Sequence, residues 1–530
     1  MNFSMFNLSF HGSHNATIAI SKEDEVLECV EFERLLSKKN AALFYYENPK
    51  DRVEYIKFVE KYFREKYGVE KYDNIIYNSV DEKKFDFKSV FSYDNLHYMM
   101  HHEAHANSVF YQSPYEEALI ISFDGGSDEG FFNIFYGKKF EDLKKIYSGK
   151  KDYAISYMTP AHFIKDIKKE DDVYVGNLVY AGKLMGYVGF GEINPDMAEK
   201  LKQYYESNTY DNVVDAIDRF VEIFSEYGIS DWNSSFSIKD GKDIATTNQH
   251  VFEQLFYEEI KPFLDEYPHV PVLISGGCGL NIINNTSLEK TREVFVSPNP
   301  SDVGLAIGML CGFIRPSKPV DSTYIGPPVW DYMELPKHIM DRKCLYISKN
   351  TIGSIAKEII SGSIVGVVRG RSEHGPRALG NRSIICDATN PRMKDYLNNK
   401  IKNRESFRPF SPVVRYEDVN KYFKWYKDSR WMTFCPKVRE EYKLLLSSVT
   451  HVDGTARVQT VTREQNQFLY DLLTWMDDMT GQAVLLNTSF NIAGKPILNT
   501  YKEAFWMLDN KDLSAIILED YYFPKVTERL

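Results

Sequence analysis

The sequence predicts an α/β protein of two domains, the first assembled from two related halves. Three observations carry this reading. The chain has 530 residues, more than one core sustains. Two stretches, 6–35 and 118–148, follow a single plan of strand, glycine-containing polar turn, strand, charged turn and strand. A stretch rich in proline (Pro316, Pro319, Pro327, Pro328, Pro336) then reads as a linker to a segment with its own helix–strand alternation. The domains are accordingly expected at 1–335 and 336–530.

Each element has a local reason. In "FNLSFHGSHNATIAI" and "ALIISFDGGSDEGFFNIFYG" the glycine-bearing turns fall between β-branched or aromatic runs, as hairpins require. Residues 50–70 carry apolar side chains at helical spacing and end near Gly68; 195–228 is likewise helical. "VPVLISGGCGLN" (270–281) is a buried strand entering a glycine loop, and "SPNPSDVGLAIGMLCGFI" (297–314) is a polar loop leading into a helix of small apolar residues. In the second domain a helix at 351–361 precedes the strand in "SIVGVVRG", and "AVLLNTSFN" is a strand that runs into a polar turn.

The composition is globular, 43% hydrophobic and 14% aromatic. Lysine and arginine number 64 against 75 acids, so 64 − 75 = −11, which argues against a general polyanion-binding surface and leaves room for a local basic pocket. None of the six cysteines pairs at a CxxC spacing, which disfavours a zinc finger and suits free thiols in a reducing cytoplasm. The first residues, "MNFSMFNLSF", lack a basic region ahead of an apolar run, and no stretch reaches membrane-spanning length. A cytoplasmic protein without membrane contact is expected.

His101 and His105 stand four apart, which stacks both imidazoles on one helix face, as a metal ion needs. Asp124, at the end of the strand "ALIISF", and Asp302, in "NPSDVG", could supply carboxylates. Two histidines and carboxylates without thiolates favour iron, manganese or zinc. His102 then points elsewhere as a structural residue. His14, in "GSHNA", reads either as a turn histidine capping its own loop or as a general base. "SGGCGLN" brings Gly276, Gly277 and Asn281 together, and with "AGKLMG" (Lys183) and "SDVGLAIG" it makes a nucleotide cleft, against the simpler reading of a tight turn.

"RGRSEHGPRALGNRS" (369–383) and "KIKNRESFRPFSP" (400–412) concentrate Arg369, Arg371, Arg377, Arg382, Lys400, Lys402, Arg404 and Arg408, with His374 among them. In a chain of net negative charge this calls for an anion. Arginine forks grip phosphate bidentately, so phosphoryl groups are favoured over a structural ion-pair network. "NTSFN" adds donors from Ser489 and Asn491.

These motifs resemble the O-carbamoyltransferases, the family of the nodulation-factor, cephem and aminoglycoside carbamoyltransferases. "HHEAHA", "FDGG", "AGKLMG", "SGGCGLN", "SDVGLAIG", "GRSEHGPRALGNRS", "KIKNRESFRPFSP" and "LLNTSFNIAGKPI" run in the family's order over nearly the whole chain. The resemblance implies a duplicated actin-like ATPase fold at 1–335, like that of the threonylcarbamoyl-transferring proteins. It implies an α/β YrdC-like, carbamoyl-adenylate-forming domain at 336–530. The K-x-R and S-x-N signatures match Lys402 with Arg404 and Ser489 with Asn491. The implied substrates are ATP, with Mg2+, and carbamoyl phosphate. The implied metal is divalent, typically Fe2+, on His101, His105, Asp124 and Asp302, and His14 stands where the family places the base for the acceptor hydroxyl. Asn15 replaces the aspartate of many members, and Tyr187 and Val188 replace smaller residues.

The expected acceptor is a hydroxyl of a small molecule, sugar or nucleoside. Three rivals stand beside it: a hydroxymethylated base in a nucleic acid, threonylcarbamoyl-type transfer to tRNA, and an actin-like nucleotide sensor without chemistry. Helical surfaces at 195–228 or 455–480 would serve a homodimer.

Overall fold

Two five-stranded sheets repeat one strand order. The first contains β1 (Phe6–His11), β2 (Thr17–Lys22), β3 (Glu25–Glu31), β4 (Tyr72–Tyr77) and β5 (Tyr93–Tyr98), in the order β3-β2-β1-β4-β5. The second contains β6 (Glu117–Ser127), β7 (Gly130–Lys138), β8 (Lys144–Gly149), β9 (Val272–Ser275) and β10 (Val294–Val296), in the order β8-β7-β6-β9-β10. In each, the first strand pairs antiparallel with the second and parallel with the fourth. The internal echo in the sequence is therefore a duplicated topology.

The computed structural model describes residues 5–44, 48–78, 85–127, 130–168, 173–207, 213–492 and 494–526. The chain divides into two compact units, 1–27 with 42–320, and 28–41 with 321–530. The boundary read from the sequence, 335/336, lies further along, and the early segment 28–41 was not foreseen in the second unit. The proline-rich stretch spans the boundary at 320/321, and its part from Asp321 onward is bonded into the second unit. Gly326 N–H donates to Ser372 O at 3.1 Å, and Trp330 N–H to Asn499 O at 3.0 Å. Proline removes donors and fixes φ without preventing a chain from packing.

The first unit holds its two sheets to helices by close backbone approach. In the helix Leu305–Ile314, a Cβ on Gly308 would lie 1.9 Å from Ala104 O. Only glycine lets this helix touch the helix His101–Gln112 so closely. Ser9 Oγ on β1 donates to Ala306 O at 2.6 Å, tying the same helix to the first sheet. The expected helix 50–70 spans Pro49–Tyr67 and ends on Gly68 with φ 69. The expected helical stretch 195–228 is Pro195–Glu206 and Val213–Ile223, and 208–212 lies outside the described residues.

The second unit is built on one mixed sheet of β11 (Leu345–Tyr346), β12 (Val365–Val368), β13 (Arg382–Asp387), β14 (Ser411–Arg415), β15 (Gln459–Val461), β16 (Leu485–Ser489), β17 (Ala515–Leu518) and β18 (Tyr521–Pro524). Their order is β11-β18-β17-β12-β13-β16-β14-β15. The helices Lys349–Ile360 and Gln467–Thr480 bury Ile355, Ile359, Leu469, Leu472 and Leu473 in a core with Val365, Val367, Ile385 and Ile517. That burial supplies the hydrophobic drive at roughly 25 cal/mol per Å² of apolar surface. Among the described residues no helix is long and apolar enough to cross a membrane, and all six cysteines are free.

Candidate functional site

His101, His105, Asp124 and Asp302 converge in the first unit, their ligand atoms all within 4.8 Å of one another. The two histidines lie one turn apart at the start of the helix His101–Gln112. Asp124 is on β6 where the pairing with β7 becomes irregular, so the strand runs past it instead of ending there. Asp302 opens a turn of 3-10 helix leading into Leu305–Ile314.

The geometry fits a divalent cation. His105 Nε2 lies 3.1 Å from His101 Nε2, 3.1 Å from Asp124 Oδ2 and 3.3 Å from Asp302 Oδ1. One imidazole N–H cannot serve three such neighbours, whereas a cation among them is satisfied by all four. Two nitrogens and two carboxylate oxygens without sulfur suit iron, manganese or zinc. Protonated histidines also balance the carboxylates. Burial opposes a charged His105, but hydrogen bonding to Asp124 and Asp302 raises it to about 9. Burial likewise opposes ionisation of Asp302, yet His14, His101 and His105 hold its carboxyl well below the usual range.

His14 stands beside this cluster, Nε2 2.9 Å from Asp302 Oδ2, with a side chain 43% exposed. Burial of its ring disfavours the cation and Asp302 favours it, the balance lying at about 9. His11, not singled out in the sequence, supports the turn: Nδ1 pairs with Asn78 Oδ1 at 2.9 Å and Nε2 with His14 O at 3.1 Å. Its only signal was proximity in "HGSH". His102 is buried and bonds Ser122 Oγ at 2.7 Å and Gly130 O at 2.9 Å, a structural part as expected.

The glycine loop serves this cluster. Gly277 N–H donates to Asp124 Oδ2 at 2.8 Å. Gly276 has φ 87, and a Cβ there would lie 2.1 Å from Phe123 O. Asn281 caps the helix Ile282–Glu289 and bonds Gln249. Lys183 is buried, with Nζ 3.3 Å from Ile167 O.

In the second unit the basic residues separate into two groups. Arg382 is fully buried and donates to the carbonyls of Arg369, Gly370 and Asn381. Arg371 donates to Gly326 O and Ile325 O, Arg369 pairs with Asp520 at 2.7 Å, and His374 lies 3.3 Å from Glu31. These side chains build the loop.

The other group has more cations than acids beside it. Lys402 ends a π-helical turn, Leu397–Lys402, whose cap Asn403 has φ 44. Its Nζ lies 2.6 Å from Ser489 O, 2.6 Å from Asn491 Oδ1 and 3.0 Å from Asn491 O, all uncharged acceptors. Arg404 Nε donates to Asn398 Oδ1 at 2.7 Å and the guanidinium lies 4.4 Å from the Phe410 ring centroid. Arg377 has no hydrogen bond or ion pair among the described residues. Arg408 faces Glu405 at 3.7 Å. Two members were missed in the sequence: Arg457, bonded to Ser411 Oγ at 2.8 Å, and Lys39, from the segment 28–41. No motif flags either one; only the fold brings them in.

These charges repel. Burial, then Arg404, Lys39 and Arg408, holds Lys402 well below the usual lysine range. Burial, then Arg377, Arg404 and Arg408, lowers Arg457 as well. Cations gathered with so little compensation need an anion.

A family model described as "Carbamoyltransferase N-terminus" matches residues 45–311, and one described as "Carbamoyltransferase C-terminus" matches 356–525. Nodulation protein NolNO of Sinorhizobium fredii is 30% identical over 460 residues, covering 82% of this chain and 64% of that protein, so the chain spans under two thirds of that relative. Nodulation protein U of the same species is 29% identical, covering 77% and 74%. An uncharacterised protein of Methanocaldococcus jannaschii is 29% identical, covering 97% and 98%. A crystal structure of full-length HypF in the phosphate- and nucleotide-bound form is similar over 60% of this chain and 56% of that one, at 14% identity and TM-score 0.34.

Proposed function

The chain belongs to the carbamoyltransferase family, and on that premise we propose that it is an ATP-dependent O-carbamoyltransferase acting on a hydroxyl of a small molecule, sugar or nucleoside. The observation that carries the reading is the cation cluster of Arg377, Lys402, Arg404, Arg408 and Arg457, five cations beside which Glu405, 3.7 Å from Arg408, leaves most of the charge uncompensated. Two phosphorylated substrates would supply the missing negative charge.

In this reading the second unit is the YrdC-like, carbamoyl-adenylate-forming part, and the first is the actin-like transfer part. Carbamoyl phosphate and water yield carbamate and phosphate. A carbamate oxygen then attacks the α-phosphorus of ATP, which travels with Mg2+, and pyrophosphate leaves. The arginines and Lys402 compensate phosphoryl charge and orient the reactants without forming bonds. Next, the acceptor hydroxyl attacks the carbamoyl carbon of the adenylate, AMP departs, and His14 takes the hydroxyl proton.

His101, His105, Asp124 and Asp302 would hold a divalent metal, Fe2+ by family resemblance, which when bound supplies Lewis-acid charge stabilisation. Charge compensation of Asp302 also lowers the field on His14, bringing it toward the neutral form a base requires. The 2.9 Å contact of the half-exposed His14 with buried Asp302 supports this pairing of roles.

The test is incubation with ATP and carbamoyl phosphate without acceptor. Pyrophosphate with carbamoyl-adenylate or its breakdown product AMP is expected, and Arg404→Ala is expected to abolish both. Their absence from wild-type protein that binds ATP would overturn the reading of the second unit.

A further inference from the structure

Arg377 occupies a loop held at both feet by buried charge. At one foot, Arg34 donates Nη1–H to Glu373 O at 2.5 Å and Nη2–H to Gly375 O at 2.8 Å. Glu31 Oε1 completes the clasp, 2.9 Å from Arg34 Nη2, and accepts Gly375 N–H at 2.9 Å. At the other foot, Glu373 Oε1 accepts N–H groups of Leu379 at 2.7 Å, Asn381 at 2.8 Å and Arg382 at 3.1 Å. Glu31, Arg34 and Glu373 are 5%, 6% and 0% exposed.

This clasp does more than pair two charges. Gly375 has φ 121, a conformation open to glycine and rarely to other residues, so the backbone can turn there and the bonds around it set its direction. Both oriented bonds to Gly375 come from Glu31 and Arg34. Farther round, Ala378 O accepts from Asn487 and Leu379 O from Gln459. Between these fixed points Arg377 alone has a guanidinium without internal partners. The loop therefore spends buried ion pairs to define the backbone around one unsatisfied cation.

We propose that Glu31 and Arg34 are positioning residues of the second unit's anion site, acting through the Glu373–Arg382 loop to aim Arg377 at a phosphoryl group. The proposal rests on the anion-binding reading of that cluster. Neither residue touches the anion itself. Arginine is suited to the task because its planar fork reaches two carbonyls and a carboxylate together, which a lysine ammonium cannot reproduce in the same geometry.

The experiment is a double-mutant cycle on the full chain, reading binding of inorganic pyrophosphate by calorimetry. Arg377→Ala is expected to weaken binding about tenfold to a hundredfold, the loss of a charge-assisted contact. Arg34→Ala should give a comparable loss, and the double variant should bind no more weakly than Arg377→Ala, since both changes remove the same contact. Independent, multiplying losses, or unchanged binding in Arg34→Ala, would overturn the clasp. Should Arg34→Ala fail to fold, Glu31→Gln enters the same cycle; it keeps an oxygen for Gly375 N–H and loses the charge that holds Arg34. Unchanged binding in Arg377→Ala would overturn both the clasp and the phosphoryl reading. Loss in Arg377→Ala together with multiplying losses in the cycle overturns the clasp alone.

Discussion

Gly277 and Asp124 are joined by a hydrogen bond from the Gly277 N–H to Oδ2, 2.8 Å long, so the glycine loop orients a carboxylate from a neighbouring strand. Asp124 lies on β6 and Gly277 just past the end of β9, and the two strands are parallel partners with Ser122 opposite Ser275. A loop that reads as a ligand cradle thus has a first duty inside the protein. Backbone approach is the property used, and its target is Asp124.

Alanine at the two glycines separates fold from site. At Gly277 a Cβ would lie 3.2 Å from Asp124 Oδ1, which presses the carboxylate by a few tenths of an ångström. Gly277→Ala is expected to lower metal affinity about tenfold at nearly unchanged melting temperature. Gly276→Ala meets a backbone oxygen at 2.1 Å and a left-handed φ, and should cost roughly 2–5 kcal/mol of stability. Metal titration and thermal denaturation of both variants check this.

Removing one convergent group should remove the metal. His105→Ala and Asp302→Asn are each expected to lower metal affinity at least about a hundredfold. Asp302→Asn should also lower the pKa of His14, because burial then acts without the carboxylate that opposes it. Metal content of purified protein and the His14 ring resonance across pH are the measurements.

Anion binding to the second unit should weaken as pH rises. Burial and neighbouring cations hold Lys402 below its ordinary pKa. A bound anion favours the charged ammonium and raises that pKa, so binding takes up protons wherever pH exceeds the free value. Sulfate, which exchanges no proton near neutrality, should bind with proton uptake, up to about tenfold weaker per pH unit as Lys402 deprotonates. Calorimetry in buffers of different ionisation enthalpy reads the uptake directly. Affinity rising with pH would contradict it.

Glu31 should contribute to acid sensitivity. Burial opposes its charge, but Arg34, His374 and the Gly375 N–H outweigh this and hold its carboxyl below the ordinary 4.5. A depressed folded pKa gives stability that is present above the unfolded value and lost as pH falls through the folded one. Glu31→Gln is therefore expected to melt below wild type at neutral pH, with the difference closing as pH falls below the ordinary 4.5 and through the depressed folded value. Melting curves across that range test the sign.

The sequence by itself determined the local elements and the residue types of both clusters. Period-two and helical patterns placed β1, β6, β9 and the helix Pro49–Tyr67, because side-chain periodicity is a local consequence of burying one face. The four-residue spacing of His101 and His105 already put both on one helix face. The repeated strand–turn–strand plan announced the duplication that the two sheet orders realise. Only the tertiary structure decided which charges remain uncompensated. Arg369, Arg371 and Arg382 read like Arg377 and Arg404 in the sequence, yet the fold bonds the first three to Asp520 or backbone carbonyls. Lys39 and Arg457 carry no motif, and they join the cluster because segment 28–41 and the approach to β15 pack into the second unit. Whether a buried arginine binds a ligand or braces a loop depends on which acceptors lie within about 3 Å, and chain neighbours do not set that distance.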